Sequence, residues 1–418
     1  MALAENPETI TDAKPGRKAA LHFILILAVL DMLAMGVITP VLPGLIKQLV
    51  HGDSALGARY VGWIAALWGA MVFIGSPIVG ALSDRFGRRP VLLASMFGAA
   101  ADFLVMALAP TVALLFVGRA ISGLTSASFS TANAYIADIT PEDQRAARFG
   151  LLNATFGIGM MLGPVMGGLL GQIDPRLPFW VASGLCLANG LYGAIVLPES
   201  LKPELRAPFS PRLANPVAAI ALYRSRPGLL VLAGVMFLYY LSQQVLWSAG
   251  IPYISYRYHW SSAMLGAGFM LMGASAVVVQ ILLVRPFVAR FGERRAVLVG
   301  LLGGALGLLV YGAAPTSMIF LLGVLAYALV GLQGPALQAM MNQCIGPNER
   351  GRLQGANGAV ISIASVAGPI LFTEVLARAI APASAWPIGA PFYLASAMLV
   401  LAIAIAAWGA RGASAPAP

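Results

Sequence analysis

The chain has 418 residues, of which 59% are hydrophobic and only 10% charged, with a mean hydropathy of +0.83 and a formal charge of +10. A soluble domain carries roughly 25% charged residues; a water-soluble fold of this composition would lack a polar surface, so its main solvent must be lipid. The basic excess does not mark a nucleic-acid binder, because Lys and Arg fall in short runs between long apolar stretches, the footprint of the positive-inside rule.

A span needs about 20 apolar residues to cross a hydrocarbon core of about 30 Å. In chain order the segments that qualify lie near 21–46, 60–82, 91–109, 112–137, 148–171 and 177–197. After a polar, Pro-rich stretch they resume near 228–250, 262–284, 296–314, 317–341, 354–378 and 386–408. The expected organisation is a polar tail over 1–20, six spans over 21–197, a linker over 198–226, six spans over 227–408 and a second tail over 409–418. The first 20 residues have no short apolar core followed by a small-residue cleavage site, so no signal peptide is read.

With the N-terminus placed in the cytoplasm, twenty Lys and Arg residues fall on that side. They include Lys14, Arg17 and Lys18, the Arg85, Arg88 and Arg89 run, Arg145, Arg148, Arg212 and Arg226, and Arg411. Only Lys47, Arg59, Arg176, Arg257 and Arg378 fall on the other, and Arg119 alone sits inside a span. This asymmetry supports the span count and puts both termini in the cytoplasm.

The two halves echo each other at an offset of 205 residues: Arg85 and Gly87 fall on Arg290 and Gly292, Arg145 and Gly150 on Arg350 and Gly355, and Gly163-Pro164 on Gly368-Pro369. A duplicated six-helix unit with its substrate at the interface of the halves is a transporter plan.

The loop Gly80-xxx-Asp84-Arg85-x-Gly87-Arg88-Arg89, the fourth-segment run Leu115-xxx-Arg119-xxx-Gly123, the fifth-segment run Gly159-xxx-Gly163-Pro164-xx-Gly167-Gly168 and the first-segment run Asp31-xxxx-Gly36-xxx-Pro40-x-Leu42-Pro43 occur in order. On these motifs the chain resembles the major facilitator superfamily, and within it the drug–proton antiporters near the tetracycline-efflux branch. The resemblance implies an all-α polytopic membrane protein of the major facilitator fold, with 12 transmembrane helices in two pseudo-symmetric six-helix bundles. It also implies a bacterial inner-membrane location, protons and an amphipathic small molecule as partners, and no cofactor beyond the proton gradient. At the positions where the tetracycline branch usually carries an acid in the ninth helix and a histidine in the eighth, this chain has Gly304 and Ala276.

Asp31 and Asp102 are the carboxylates deep within spans of the first half, and an ionisable group there is costly and by default functional. Burial raises a carboxyl pKa and a neighbouring cation lowers it, so Arg119 with Asp31 or Asp102 is a candidate proton-coupling group; a static buried ion pair is the plain alternative. Asp84, with Gly80, Arg85, Gly87, Arg88 and Arg89, reads as a cytoplasmic gate or, for the arginines, as a topology anchor. Gly159, Gly163 and Gly167 share one helix face, which admits a close neighbour; with Pro164 and Gly168 they form the exporter motif, and Pro164 invites a kink. Glu374 reads as an i,i+4 partner of Arg378.

Asn133, Tyr239, Gln243, Gln244, Trp247, Gln280 and Gln338 are candidates to line a cavity, with Phe237 and Tyr240 as further aromatic surface, although interhelical bonding and lipid contact suit them as well. Met160 and Met161 read as packing. Cys186, Cys344, His22, His51 and His259 are scattered, with no disulfide framework and no metal-ligand spacing. There is no Walker sequence, no paired catalytic carboxylate and no nucleophile with a base, so an ATP-driven pump and an enzyme are set aside. What remains is a secondary exporter exchanging a drug for protons, for which a monomer suffices, or a same-fold importer or facilitator of a small nutrient.

Overall fold

The computed structural model describes residues 15–125, 128–206, 222–224, 227–346 and 349–412. Lys14, Arg212 and Arg226, the second tail beyond residue 412 and most of the first tail and linker lie outside the described residues, as do the side chains of His22, Arg145 and Met160.

Among the described residues the chain runs as twelve helical rods. They are α1 (Pro15–Ile38, continued by Leu42–Leu49), α2 (Ser54–Phe86), α3 (Arg88–Leu108), α4 (Val112–Thr125 with Ser128–Ile139), α5 (Glu142–Ile173) and α6 (Leu177–Val196). The second six are α7 (Pro227–Ser248, continued by Gly250–Tyr258), α8 (Ser262–Val278 through Val284–Phe291), α9 (Glu293–Ala313), α10 (Ser317–Ala328 through Gln333–Gln343), α11 (Arg350–Ala379) and α12 (Ala390–Gly412). Nine rods are long and apolar enough to cross a bilayer by themselves, and the bent α1 makes a tenth; α4 and α5 contribute shorter apolar stretches at Val112–Thr125 and Met161–Ile173.

The breaks follow from local chemistry. Pro40 and Pro43 supply no N–H and crowd the residue before them, so α1 bends by 40° at the turn over 39–41. A single residue, Gly87, joins α2 to α3 at φ +109°, and Gly292 joins α8 to α9 at φ +79°; only glycine takes such angles without strain. A π-helical turn, Val279–Leu283, interrupts α8, and a 3-10 turn, Leu329–Leu332, interrupts α10.

In the first half α1 packs on α5 and α6, α3 on α4 and α6, and α2 on α4; in the second, α7 packs on α11 and α12, and α9 on α10 and α12. The extensive contacts between the halves are α2 with α11 and α5 with α8. We call the face from which α1 starts the terminal face and its opposite the far face. The second half holds one continuous buried cluster, including Tyr253, Tyr311, Phe320 and Phe392. The first half holds two: Phe23 to Ala28 with Leu92 and Met96 toward the terminal face, and Leu33 to Ile46 with Ala100 and Phe103 toward the far face. Asp31 lies in the gap between them on α1.

Candidate functional site

The buried charge sits beside that gap. Asp102 on α3 is fully buried and Arg119 on α4 nearly so, and Arg119 Nη2 donates to Asp102 Oδ2. Gly118 makes this approach possible, since a Cβ there would lie 2.7 Å from Asp102 Oδ1. The guanidinium also lies 5.8 Å from the Phe103 ring centroid. The pair is incompletely satisfied: Asp102 Oδ1 and Arg119 Nε are buried without a hydrogen-bond partner among the described residues. Such orphan groups are costly to keep and mark a place where a proton or a polar ligand group is welcome. Asp31 is half-buried on α1. Ser183 Oγ donates to the Ala100 carbonyl at 2.9 Å and Asn189 Nδ2 lies 3.5 Å from Met96 Sδ in the same α3–α6 seam.

The fifth-helix glycines weld α5 to α1. A Cβ on Gly159 would meet Val29 O at 2.6 Å and Met32 Cβ at 2.7 Å; on Gly163 it would meet Gly36 Cα at 2.6 Å and Leu33 O at 2.7 Å. Gly167 is pressed against Val37 in the same way. Gly168 faces the other half, at Ser262 and Ala263 of α8, and a Cβ on Gly266 would lie 2.8 Å from the Pro164 carbonyl. One helix therefore carries both a fixed contact within its half and the seam between halves.

Asp84 lies at the end of α2 with a half-exposed side chain and pairs with Arg88 at 2.5 Å. Arg88 also reaches Ser83 at 3.1 Å and Asp138 of α4 at 3.4 Å. Arg89 donates to the Ala194 carbonyl at 2.6 Å, and Arg85 sits 5.1 Å from the Phe86 ring centroid. Glu199, just after α6, accepts from the Arg88 backbone N–H at 2.8 Å and from Arg89 N–H at 3.3 Å, a carboxylate on the positive end of α3. A Cβ on Gly87 would collide with that carboxylate, whereas Gly80 has nothing within 4 Å. These bonds of the Asp84 loop are to α2, α4 and the end of α6, all within the first half.

The far face differs. Arg59 of α2 holds Glu374 of α11 across the halves, Nε to Oε2 at 2.9 Å and Nη2 to Oε1 at 3.3 Å, and Arg378 Nε bonds Glu374 Oε1 at 2.9 Å. Below it, a Cβ on Gly62 would strike Thr373 and lie 2.8 Å from the Pro369 carbonyl, and one on Gly69 would lie 3.1 Å from the Ser365 carbonyl. Gln172 Nε2 lies 3.5 Å from Ser261 Oγ at the far end of α5. Toward the terminal face, Gly80 on α2 and Gly358 on α11 face open space. Among the described residues, the hydrogen bonds between α2 and α11 lie at the far face.

Among the cavity candidates, Gln243 donates to the Tyr239 hydroxyl and Gln244 to Ser365 on α11 at 3.3 Å. Gln338 donates to Asn342 at 3.3 Å and accepts from Asn357 at 2.9 Å. Trp247 is 40% exposed and stacks on Phe269 at 5.9 Å; Gln280 is exposed on α8 and Asn133 half-buried on α4. Gly304 lies between α10 and α12, where a Cβ would meet the side-chain ends of Leu399 at 2.9 Å and Val330 at 3.0 Å, so an acid there would press on apolar side chains. Sequence reasoning missed Asp138, Glu199 and the role of Arg59, whose partners lie far away in the chain.

A chain whose described residues form twelve helical rods in two sets of six, most of them apolar enough to span, with a buried ion pair in one set and an ion-paired seam between the sets, is a multi-pass membrane protein of the two-bundle transporter architecture. The Major Facilitator Superfamily model matches residues 24–241 and 232–417, and the chain belongs to that family. It is 38% identical over 380 residues to the class C tetracycline resistance protein of Escherichia coli, covering 90% of this chain and 94% of that one. It is 35% identical over 383 residues to the class G tetracycline resistance protein of Vibrio anguillarum, covering 90% and 96%. A crystal structure of the nucleoside transporter NupG shares the fold, with a TM-score of 0.77 at 14% identity, covering 94% of this chain and 99% of that one.

Proposed function

We propose that the chain exports a tetracycline-like or other amphipathic drug across a bacterial cytoplasmic membrane in exchange for protons, by alternating access. On this reading the terminal face is cytoplasmic and the far face periplasmic, and the chain works as a monomer without a bound cofactor. The observation that carries the reading is the buried Asp102–Arg119 pair with its unsatisfied oxygen, in a molecule whose halves are bridged by Arg59 and Glu374 on the face opposite most basic residues. A carboxylate paired with a cation in a low-dielectric site exchanges a proton when the cation withdraws or the substrate competes for it. An inward proton supplies about 2.3 kcal/mol per 100 mV of membrane potential. The tetracycline resistance proteins among its relatives favour a drug cargo.

The test is proton release from everted vesicles on adding tetracyclines or cationic dyes, comparing wild type with Asp31→Asn and Asp102→Asn. Substrate-dependent proton movement abolished by both substitutions is the expected result. Transport that runs without a proton gradient, or a panel in which nothing moves, transfers the reading to nutrient uptake or facilitation.

A further inference from the structure

The three charges at the periplasmic end form more than a bridge. Glu374 Oε2 is taken by Arg59 alone, while Oε1 is shared between Arg59, 315 residues away in the other half, and Arg378 one turn along its own helix. When the periplasmic side opens, α2 must leave α11 and Arg59 must leave with it. Arg378 travels with Glu374 and is then free to take both oxygens. A carboxylate stripped of every partner at a membrane interface is expensive; one with a partner on its own helix is not.

We propose that Arg59, Glu374 and Arg378 are a latch with a resting partner: Arg59 favours the closed periplasmic side, and Arg378 favours the open one by holding Glu374 after release. The proposal rests on the alternating-access reading. It separates the two arginines by sign, which a merely sticky interface does not. The side chains of Arg59 and Glu374 are 40% and 32% exposed, so each effect is that of a partly screened pair, about two- to fivefold in a population ratio.

The experiment measures distances between spin labels in lipid nanodiscs, with Cys186 and Cys344 replaced by alanine. One label pair replaces the exposed Lys47 and Trp386 at the periplasmic side, the other Phe86 and Phe291 at the cytoplasmic side. At a pH where both states are populated, Arg59→Ala should raise the periplasm-open fraction about two- to fivefold and Arg378→Ala should lower it. In a Glu374→Gln background neither should act. Shifts of the same sign, no shift, or shifts that persist without Glu374 overturn the latch. Distances that move with pH yet ignore all three substitutions sink the latch alone; one fixed distance at both pairs, at every pH, sinks alternating access and the latch together.

Discussion

The seam between α3 and α4 and the seam between α9 and α10 occupy the same place in the two halves, and they are built from opposite chemistry. At the 205-residue offset Gly118 falls on Gly323, Asp102 on Gly307 and Arg119 on Val324. Both small residues do the same job: Gly118 lets the Asp102 carboxylate in, and Gly323 admits the Tyr311 ring, whose Cδ1 would be 2.9 Å from a Cβ. What they admit differs. The first half brings an ion pair close to a break in its core, whereas the second presses Gly307 onto the Tyr327 backbone and keeps one continuous apolar cluster. Beside Val324 lies a narrow apolar crevice walled by Trp260, Phe269, Tyr311 and Phe320. The close approach of helices is kept in both copies, whereas the buried charge is present in only one.

The largest effects come from breaking the charged seam. Asp102→Asn leaves Arg119 buried with a weaker partner, and losing half of a buried pair costs about 3–5 kcal/mol; a large drop in the detergent-solubilised melting temperature should accompany the loss of proton-linked transport. Asp102→Asn with Arg119→Leu removes both charges and should recover much of the stability while transport stays absent. If the double variant melts no higher than the single one, the pair is not the unit described. Next come the paired glycines. Gly118→Ala pushes on a carboxylate and Gly323→Ala on packed rings, each costing about 1–3 kcal/mol by overpacking. The first should lower transport more than stability, and the second the reverse, which side-by-side melting and uptake assays decide.

Much of this was legible in the chain. Most of the spans and the close face of Gly159, Gly163 and Gly167 follow from apolar length and from glycine spacing. The convergence of Asp102 and Arg119 was suggested by their being costly charges in adjacent spans. The Arg59 contact was not legible, because i,i+4 spacing already gave Glu374 a partner in Arg378, and no local period reports a residue 315 positions away. Glu199 and Asp138 were similarly hidden as helix-end charges. The glutamines were ambiguous for another reason: a helix apolar all round has no polar face to orient it, so Gln244, bonded to Ser365, and exposed Gln280 look alike in sequence.

The smallest effects test the joints. Gly87 and Gly292 both hold positive φ, and an alanine at either costs about 1–3 kcal/mol in backbone strain. They should nevertheless differ: a Cβ at Gly292 meets nothing within 4 Å, while at Gly87 it displaces Glu199 from the start of α3. Gly87→Ala therefore adds the loss of a helix cap, about 1 kcal/mol, to the same strain. Glu199→Gln should lower the melting temperature by itself and shrink the gap between the two alanine variants. α9 begins with its own acid, Glu293, for which Glu293→Gln should cost only about 0.3–1 kcal/mol, and less in high salt. Equal losses for Gly87→Ala and Gly292→Ala would mean that Glu199 contributes nothing to the first joint, and the two loops would then differ in sequence only.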